Sequence, residues 1–506
     1  MQSAPVTAGV PANALPSQTL FKRDRLTGLT LPATVATVLI ITATIRLLAG
    51  PGPLWVDETW TGIHALQPTI GQFFREVYVD INAPLYYLLM WGWAALFGVS
   101  NEALRAPSLF FGLIAPLLAL LPSREIDRPT RLLWCALLAM WVPGLPQSLE
   151  ARCYPMLLAL CVGGTILHGR LIAAPSLGRA AAWASIGALA ILTHYYAAIL
   201  FGLQGLAFLA CNRTRALRTW PAALIFLPAF GYMAYHLPQL AAFAQTSWYS
   251  TLPPAALPAI VVYAVGPGTV ALLLMSPGIK GSFFGVPVRP VGPRLLPWIV
   301  GPAALGAILL VVAGLLRPSF TPRYLTIFVP GILLGVAAWA AAIGRSRPWA
   351  PMILVGLSLA WIVFWASAIG VGRTRTLNFE AASESLLQDH AEAVVFTWDN
   401  PSAQQLPAAK MSELGSFFFR RAEAQITTIG MPLPEGADPN RVLLDAAKGD
   451  RPGIIWVYDR SVPGTLALAH PPRIEALDPS WTCRDLGRDA IGVLTCLRAG
   501  PKPPGG

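Results

Sequence analysis

The sequence predicts a polytopic α-helical membrane protein that carries a charged C-terminal domain. Of its 506 residues, 55% are hydrophobic and 12% are charged, whereas soluble domains hold about 25% charged residues. Apolar blocks follow one another from Leu29 to Val371, and about 20 apolar residues suffice to cross a bilayer. Up to Gly372 the chain has 22 Lys or Arg and 9 Asp or Glu, and beyond it 14 and 16. A soluble globular enzyme is therefore excluded, and a domain boundary is expected near residue 372.

The basic residues predict which loops face the cytoplasm. Sixteen of the 22 basic residues before residue 373 collect in short connections between apolar blocks: Lys22/Arg23/Arg25, Arg124/Arg128/Arg131, Arg170/Arg179, Arg213/Arg215/Arg218, Lys280/Arg289/Arg294 and Arg345/Arg347. The positive-inside rule places such loops in the cytoplasm. The net charge of +11 thus reflects membrane topology. No basic-aromatic stripe accompanies it, so no nucleic-acid partner is expected.

With these loops inside, the sequence predicts about eleven transmembrane helices. The first apolar block lacks a small-residue cleavage site and is taken as a retained span. The predicted crossings are 29–48, 104–121, 132–147, 154–172, 181–198, 199–211, 219–236, 257–275, 295–316, 324–343 and 351–371. Residues 1–26 then form a cytoplasmic tail, residues 27–372 the membrane domain, and residues 373–506 an extracytoplasmic domain. Both chain ends, residues 1–20 and PKPPGG, have compositions typical of disorder.

One apolar block does not fit this alternation of cytoplasmic and external loops. Ala83 to Gly98 (APLYYLLMWGWAALFG) is short and rich in Trp and Tyr, residues that concentrate at membrane interfaces. Counting it as a span would invert every later loop against the charge rule. We therefore predict a juxtamembrane helix within a first external loop, residues 50–103.

Carboxylates are few in the membrane domain, which narrows the search for chemistry. No Asp or Glu occurs between Ala151 and Gly372. Six acids fall on the predicted outer side: Asp57, Glu58, Glu76, Asp80, Glu102 and Glu150. Asp57 and Glu58 lie in PLWVDETW directly after the first span, where acids are either functional or cap the N-terminus of a following helix. Spacing alone does not separate these two interpretations.

Two further outer segments carry arginines without a neighbouring excess of acid. QSLEARCYP contains Glu150, Arg152 and Tyr154, and RPSFTPRYL contains Arg323 and Tyr324. The planar guanidinium fork suits phosphate binding, although snorkelling to lipid head groups is the alternative. His194 in ILTHYYAAI ends the fifth span on the same side, next to Tyr195, and is either catalytic or a structural interface residue.

Together these segments resemble glycosyltransferase family 39, which includes protein O-mannosyltransferases and lipid A aminoarabinose transferases. Its Asp-Glu pair after the first span is matched by Asp57 and Glu58. Its Asp-x-His-Pro-Pro-Leu-Tyr-Tyr stretch corresponds to residues 80–87, with Asn82 and Ala83 in place of the His and the first Pro. Further matches are Leu104 to Ser108 including Arg105, Ser148 to Tyr154, Thr193 to Tyr195, and Pro322 to Leu325.

The resemblance implies a GT-C fold and transfer of a sugar from a polyprenyl-phosphate donor to a hydroxyl acceptor on lipid A, a glycan or a protein. It also implies Asp57 as the general base, with Glu58 orienting it, binding the acceptor or helping to hold a metal. The expected substrate-binding residues are Asp80, Asn82, Tyr86, Arg105, Glu150, Arg152, Tyr154, His194, Tyr195, Arg323 and Tyr324. For Arg105, pairing with Glu102 or Asp80 is the structural alternative.

The remaining expectations concern mechanism and setting. A single carboxylate at the reacting carbon predicts inversion, by analogy with glycosidases. No cofactor is required; a divalent cation stays open, although no His/Cys cluster marks a metal site. The protein is expected to span a bacterial inner membrane many times, with a periplasmic site. A lipid-linked-sugar flippase or transporter and a non-catalytic binding scaffold are the alternatives, and the missing midplane acids argue against ion coupling.

The tail is predicted to be a small α/β domain. AEAVVFTW and GIIWVYD are short β-prone runs separated by charged, helix-forming stretches. Cys483 and Cys496 flank a possible hairpin and form either a disulfide, in an oxidising compartment, or a buried free pair.

Overall fold

The computed structural model describes a helical chain that ends in a small sheet. It describes residues 18–49, 52–246, 251–274, 295–345, 347, 349–367, 379–399, 406–434, 436–449, 451–459, 472–487 and 491–499. Several predictions fall outside these residues: disorder of residues 1–17 and of PKPPGG, the basic loop with Lys280, Arg289 and Arg294, and the boundary near residue 372. Residues 18–20 were also expected to be disordered, but they begin the first helix.

Up to residue 367, the described chain forms helices α1 to α17. Their bounds are α1 Gln18–Leu48, α2 Val56–Ala65, α3 Ile70–Val79, α4 Pro84–Phe97, α5 Asn101–Leu118, α6 Arg128–Ala139, α7 Gly144–Ser148, α8 Tyr154–Ala173, α9 Leu177–Thr193, α10 Ala197–Asn212, α11 Thr214–Leu217, α12 Leu227–Thr246, α13 Leu257–Val265, α14 Pro267–Leu274, α15 Leu296–Leu316, α16 Val329–Gly344 and α17 Trp349–Trp365. Short 3-10 turns cover Trp220–Phe226, Pro254–Ala256 and Pro322–Ile327.

Three of the described helices are long and apolar enough to cross a membrane by themselves. They are Thr30–Leu48 within α1, Tyr154–Ala173 and Leu296–Leu316. The chain is therefore a membrane protein, as its composition predicts. The predicted count of eleven spans is not confirmed, because the other apolar helices are shorter than 18 residues or fall below that apolarity.

Two predicted spans are interrupted. The block 132–147 divides into α6 and α7, because α6 ends at Ala139 and Pro143, which lacks an N–H donor, stands at the N-terminus of α7. The block 257–275 divides at Gly266, whose φ of 79° is left-handed and ends α13. Hydropathy detects neither break because the flanking residues remain apolar.

The aromatic block after Ala83 forms α4. Pro84 occupies its first turn, where a missing N–H is tolerated, and Gly98 ends it with a φ of 74°. Its 14 residues extend about 21 Å, which is short of the roughly 30 Å hydrocarbon core. The juxtamembrane position of this helix stays a prediction. Tyr86, Tyr87 and Met90 are buried.

The tail forms an α/β domain around a five-stranded sheet, which confirms the predicted class of this region. Its elements are α18 Phe379–Gln388, β1 Ala393–Asp399, α19 Ala408–Arg421, β2 Thr427–Gly430, α20 Pro439–Ala446, β3 Pro452–Asp459, α21 Ile474–Leu477, β4 Trp481–Asp485 and β5 Ile491–Arg498. The strand order is β2-β1-β3-β5-β4, with β1 parallel to β2 and β3 and with β5 antiparallel to β3 and β4. Cys483 and Cys496 face each other on β4 and β5 and are joined by a disulfide.

The tail shares a hydrophobic core with the 50–103 segment. Phe417, Phe396 and Ile455 of the tail belong to the same buried cluster as Ile63 of α2 and Phe73 of α3. The two regions thus pack against each other through a common core.

Candidate active site

Helix α2 presents the acidic pair of PLWVDETW. It begins at Val56, so Asp57 and Glu58 fall in its first turn, where the helix dipole stabilises negatively charged side chains. Successive residues on a helix are about 100° apart, so the two carboxylates leave α2 in different directions. Asp57 keeps 27% of its side chain exposed and Glu58 only 2%.

Glu58 is engaged in structural contacts through both carboxylate oxygens. Arg105 donates to it twice, from Nε to Oε1 and from Nη2 to Oε2, each at 2.7 Å. Oε1 also accepts the backbone N–H of Ala151 at 2.8 Å, and Oε2 that of Trp55 at 3.2 Å. Glu58 therefore ties α2 to α5 and to the 150–152 turn. Arg105 pairs with Glu58, whereas the sequence suggested Glu102 or Asp80.

Asp57 lies between two arginines that are distant in sequence. Its Oδ2 is 3.3 Å from Nη1 of Arg323 and 3.6 Å from Nη2 of Arg152. Arg152 is 7% exposed and also approaches the Tyr87 hydroxyl at 3.5 Å. Its Nε is buried and has no acceptor among the described residues. A partly exposed carboxylate thus meets two cations, one of which retains a free buried donor.

Arg323 is held among aromatic rings at the start of the 3-10 turn Pro322–Ile327. Its guanidinium carbon lies 5.8 Å from the ring centres of both Trp55 and Tyr154. Burial alone would lower the pKa of Arg323, but Tyr154 and Asp57 outweigh burial and raise the pKa above its usual value. Arg323 therefore remains a cation at any physiological pH.

Asp80 anchors a second polar group beside the first. Its Oδ2 is 2.9 Å from Nε2 of His64 and accepts from the Tyr87 hydroxyl at 3.2 Å. Its Oδ1 accepts from the Asn82 backbone at 2.9 Å and from Asn82 Nδ2 at 2.7 Å. Asn82 Nδ2 also donates to Tyr87 at 3.1 Å, so its amide is used in holding the loop. Through Tyr87, this group joins Arg152 and hence Asp57.

Arg323 lines a cavity of about 650 Å³. Besides Tyr263, six polar side chains line it: Gln147, Glu150, Tyr154, Thr321, Arg323 and Ser358. The rest of its wall is mostly apolar and aromatic: Leu137, Met140, Trp141, Val142, Val262, Tyr263, Val265, Phe320, Leu333, Trp361 and Trp365. Arg323 in the wall therefore offers a contact for an anion, and the apolar part of the wall suits a hydrocarbon chain.

The remaining predicted residues differ in how close they lie to Asp57, Arg152 and Arg323. His194 lies 4.9 Å from the Tyr324 ring and 6.0 Å from the Tyr154 ring, so it borders the arginines. Tyr86 instead is buried and shares a hydrogen bond with Ser108, which donates to the Arg152 carbonyl. The Tyr195 hydroxyl shares a hydrogen bond with His236 at 2.7 Å. The hydroxyls of Tyr86 and Tyr195 are thus engaged in structural contacts.

Three members of the cluster were missed by sequence reasoning: Trp55, His64 and Tyr87. Two of them had a usable signal: Tyr87 ends the motif at residues 80–87, and His64 follows Asp57 by seven residues and so lies on the same face of α2. Its imidazole reaches Asp80 from there. Within the described ranges, no group of three or more His, Cys, Asp or Glu side chains could hold a metal ion.

Comparisons with known proteins identify the fold. No protein-family model and no curated protein matches the sequence significantly. Among solved structures, ArnT from Cupriavidus metallidurans in the apo state aligns with 94% of this chain and 98% of its own at a TM-score of 0.53 and 14% identity. The same protein bound to undecaprenyl phosphate aligns with 95% of this chain and 98% of its own at a TM-score of 0.52, again with 14% identity. The likeness spans the membrane helices and the tail, and it confirms the GT-C fold.

Proposed function

We propose that this chain is a membrane glycosyltransferase that moves a sugar from a polyprenyl-phosphate donor to a hydroxyl acceptor. The reaction takes place at the outer face of the inner membrane. The observation that carries the proposal is the position of Asp57 between Arg152 and Arg323, the second of which lines the cavity. The solved structure of similar fold that contains undecaprenyl phosphate supports a donor of this class.

The donor is assigned to the 650 Å³ cavity. Its isoprenoid chain would lie against Trp141, Trp361 and Trp365, which gain from excluding water around a hydrocarbon. Its phosphate would meet the guanidinium of Arg323 and the buried Nε donor of Arg152. Guanidinium groups bind phosphate through paired donors.

The reaction then needs a base and a cation. The acceptor oxygen attacks the anomeric carbon, and its proton passes to the Asp57 carboxylate. The bond from the anomeric carbon to the phosphate oxygen breaks, and the electron pair leaves with the polyprenyl phosphate. Arg323 and Arg152 stabilise that charge, a contribution that is often the largest in catalysis. One direct displacement inverts the anomeric configuration.

Glu58 has a supporting role in this proposal. Its oxygens accept from Arg105, Ala151 and Trp55, so it holds α2 and the Arg152 turn in place and does not take part in proton transfer. The acceptor would approach Asp57 from its exposed side. We place this side, with the tail, in the periplasm of a bacterium, on the parity of the basic loops and on the disulfide, which suits an oxidising compartment.

The test is transfer of radiolabelled sugar from a panel of polyprenyl-phosphate sugars to membrane extract by the purified full chain. Asp57→Asn is expected to lower kcat by about 10² to 10⁴, the usual contribution of a positioned general base. The matched control is Asp445→Asn, which removes an exposed acid of the tail and should transfer at the wild-type rate. Each assay is run with and without a chelator to decide whether a divalent ion takes part.

Two outcomes contradict the proposal in different ways. Equal transfer by wild type and Asp57→Asn removes Asp57 from the chemistry. Absence of transfer from every donor, with donor binding retained, supports the binding-scaffold or flippase interpretation instead.

A further inference from the structure

Helix α19 of the tail contacts the 50–103 segment near both of its own ends. Near its start, Lys410 pairs with Glu76 of α3 and lies 3.0 Å from Glu413 of α19 itself. Near its end, Arg421 pairs with Glu380 of α18 and donates to Asn101 of α5 at 2.8 Å. The helix is thus held by charged contacts near both ends, to α3 at its start and to α18 and α5 at its end.

Between these two ends, α19 makes its closest approach to α2. The ring of Phe417 occupies the space beside Gly62, where a Cβ atom would lie 2.5 Å from Cζ and 2.6 Å from Cε2 of that ring. Phe417 is completely buried. No side chain larger than hydrogen fits at residue 62 unless the ring moves, so the glycine sets the distance between the two helices.

The contact falls on the Glu58 side of α2, away from Asp57. At 100° per residue, Gly62 lies about 140° round the helix axis from Asp57, whereas His64 lies within about 20° of Asp57. The contact of Phe417 at Gly62 therefore limits how far α2 can move away from Arg152 and Arg323. Gln67, just beyond α2, adds a further contact from its Nε2 to Glu413 at 3.4 Å.

We propose that Phe417 is a positioning residue for the reaction, because its contact with Gly62 sets how far Asp57 stands from Arg152 and Arg323. The tail is then part of the catalytic unit. The inference rests on the proposed function, since it gives Asp57 the role of base. A misplacement of about 1 Å in a reacting group can lower a rate 100-fold, so small changes at this contact have a measurable effect.

The test compares two phenylalanines of the same helix in the full chain. Phe417→Ala removes the ring that meets α2, and Phe418→Ala removes a buried ring that packs 4.7 Å from Phe379 inside the tail. We expect Phe417→Ala to lower kcat about 10- to 100-fold with the donor KM within about twofold. Phe418→Ala should lower the melting temperature similarly and leave kcat within about twofold of wild type. Equal effects of the two variants on kcat would overturn the proposal.

A compensating pair keeps the test decisive if Phe417→Ala does not fold. Gly62→Ala places a methyl group against the ring and should lower kcat, whereas Gly62→Ala with Phe417→Leu removes Cζ and Cε2 and should recover most of it. No recovery in the double variant contradicts the proposal. Hydrogen exchange of residues 57–64 gives a readout without activity: faster exchange in Phe417→Ala than in Phe418→Ala supports the contact, and equal exchange refutes it. If wild type transfers no sugar, the proposed function fails, and the exchange result still decides the role of α19.

Discussion

Asp57 and Glu58 show how one residue of spacing separates two uses of the same functional group. The carboxylate of Asp57 remains partly exposed and meets cations whose other donors are not all used. The carboxylate of Glu58 is buried and receives four hydrogen bonds. A proton acceptor needs access to its substrate, so exposure, and not residue type, separates the proposed base from its support.

At the same scale, Asp80 predicts a pH dependence of stability. Burial alone would raise the pKa of the Asp80 carboxyl, but the hydrogen bond and charge of His64, the Asn82 backbone N–H and Arg152 outweigh burial and hold the pKa well below its usual range. Because the folded-state pKa is depressed, this stabilisation is present above the unfolded value of about 3.9 and is lost as the pH falls through the folded value.

The expected result is a flatter pH profile for Asp80→Asn. Between about pH 5 and pH 3, the melting temperature of the wild type in detergent should fall more steeply than that of the variant. Thermal unfolding at a series of pH values measures the difference. Parallel profiles would show that the His64 pair does not stabilise the folded state.

At the scale of single elements, α2 depends on contacts that reach it from three other parts of the chain. Arg105 comes from α5, Ala151 from the turn before α8, and Phe417 from α19. A ten-residue helix is marginal in isolation. The position of α2 therefore depends on the segments packed against it, and Glu58 bonds to two of them, α5 and the turn before α8.

Glu58→Gln should consequently destabilise the chain strongly. The change leaves the mostly buried Arg105 without its counter-charge, and breaking a buried pair in this way costs about 3 to 5 kcal/mol. Thermal unfolding monitored by tryptophan fluorescence measures the loss. Glu102→Gln, an exposed acid in the first turn of α5, is the control and should stay within about 0.5 kcal/mol of wild type. Similar melting of the two variants would refute the importance of the pair.

At the scale of the whole molecule, the tail is stabilised by the cross-strand bond between Cys483 and Cys496. The two cysteines are 13 residues apart, and closing a loop of about that length contributes roughly 3 kcal/mol. Cys483→Ser is expected to lower the melting temperature of the tail by several degrees, and a reducing agent should do the same to wild type. Calorimetry in both states measures the shift. Cys211→Ser, which removes a free cysteine, should behave like wild type, and a reductant-insensitive melt would contradict the prediction.

The same scale shows what the sequence could predict. Charge parity and the order of short motifs predicted a membrane protein with a tail domain and placed Asp57, Arg152 and Arg323 on one face. The partners of Glu58 and Phe417 were beyond its reach, because these contacts depend on how helices distant in sequence pack. Helix breaks such as the one at Gly266 were also missed, since a left-handed glycine leaves hydropathy unchanged.

The seating of α19 on α2 also has a consequence for the order in which the protein is made. Gln67 and its contact Glu413 are 346 residues apart. At about 5 to 20 residues per second, a ribosome reaches Glu413 roughly 17 to 70 s after it has passed Gln67. During that interval the first helices already enter the membrane without a completed site. A chain released early lacks α19 and its contacts with α2, so only full-length copies are expected to carry out the proposed transfer.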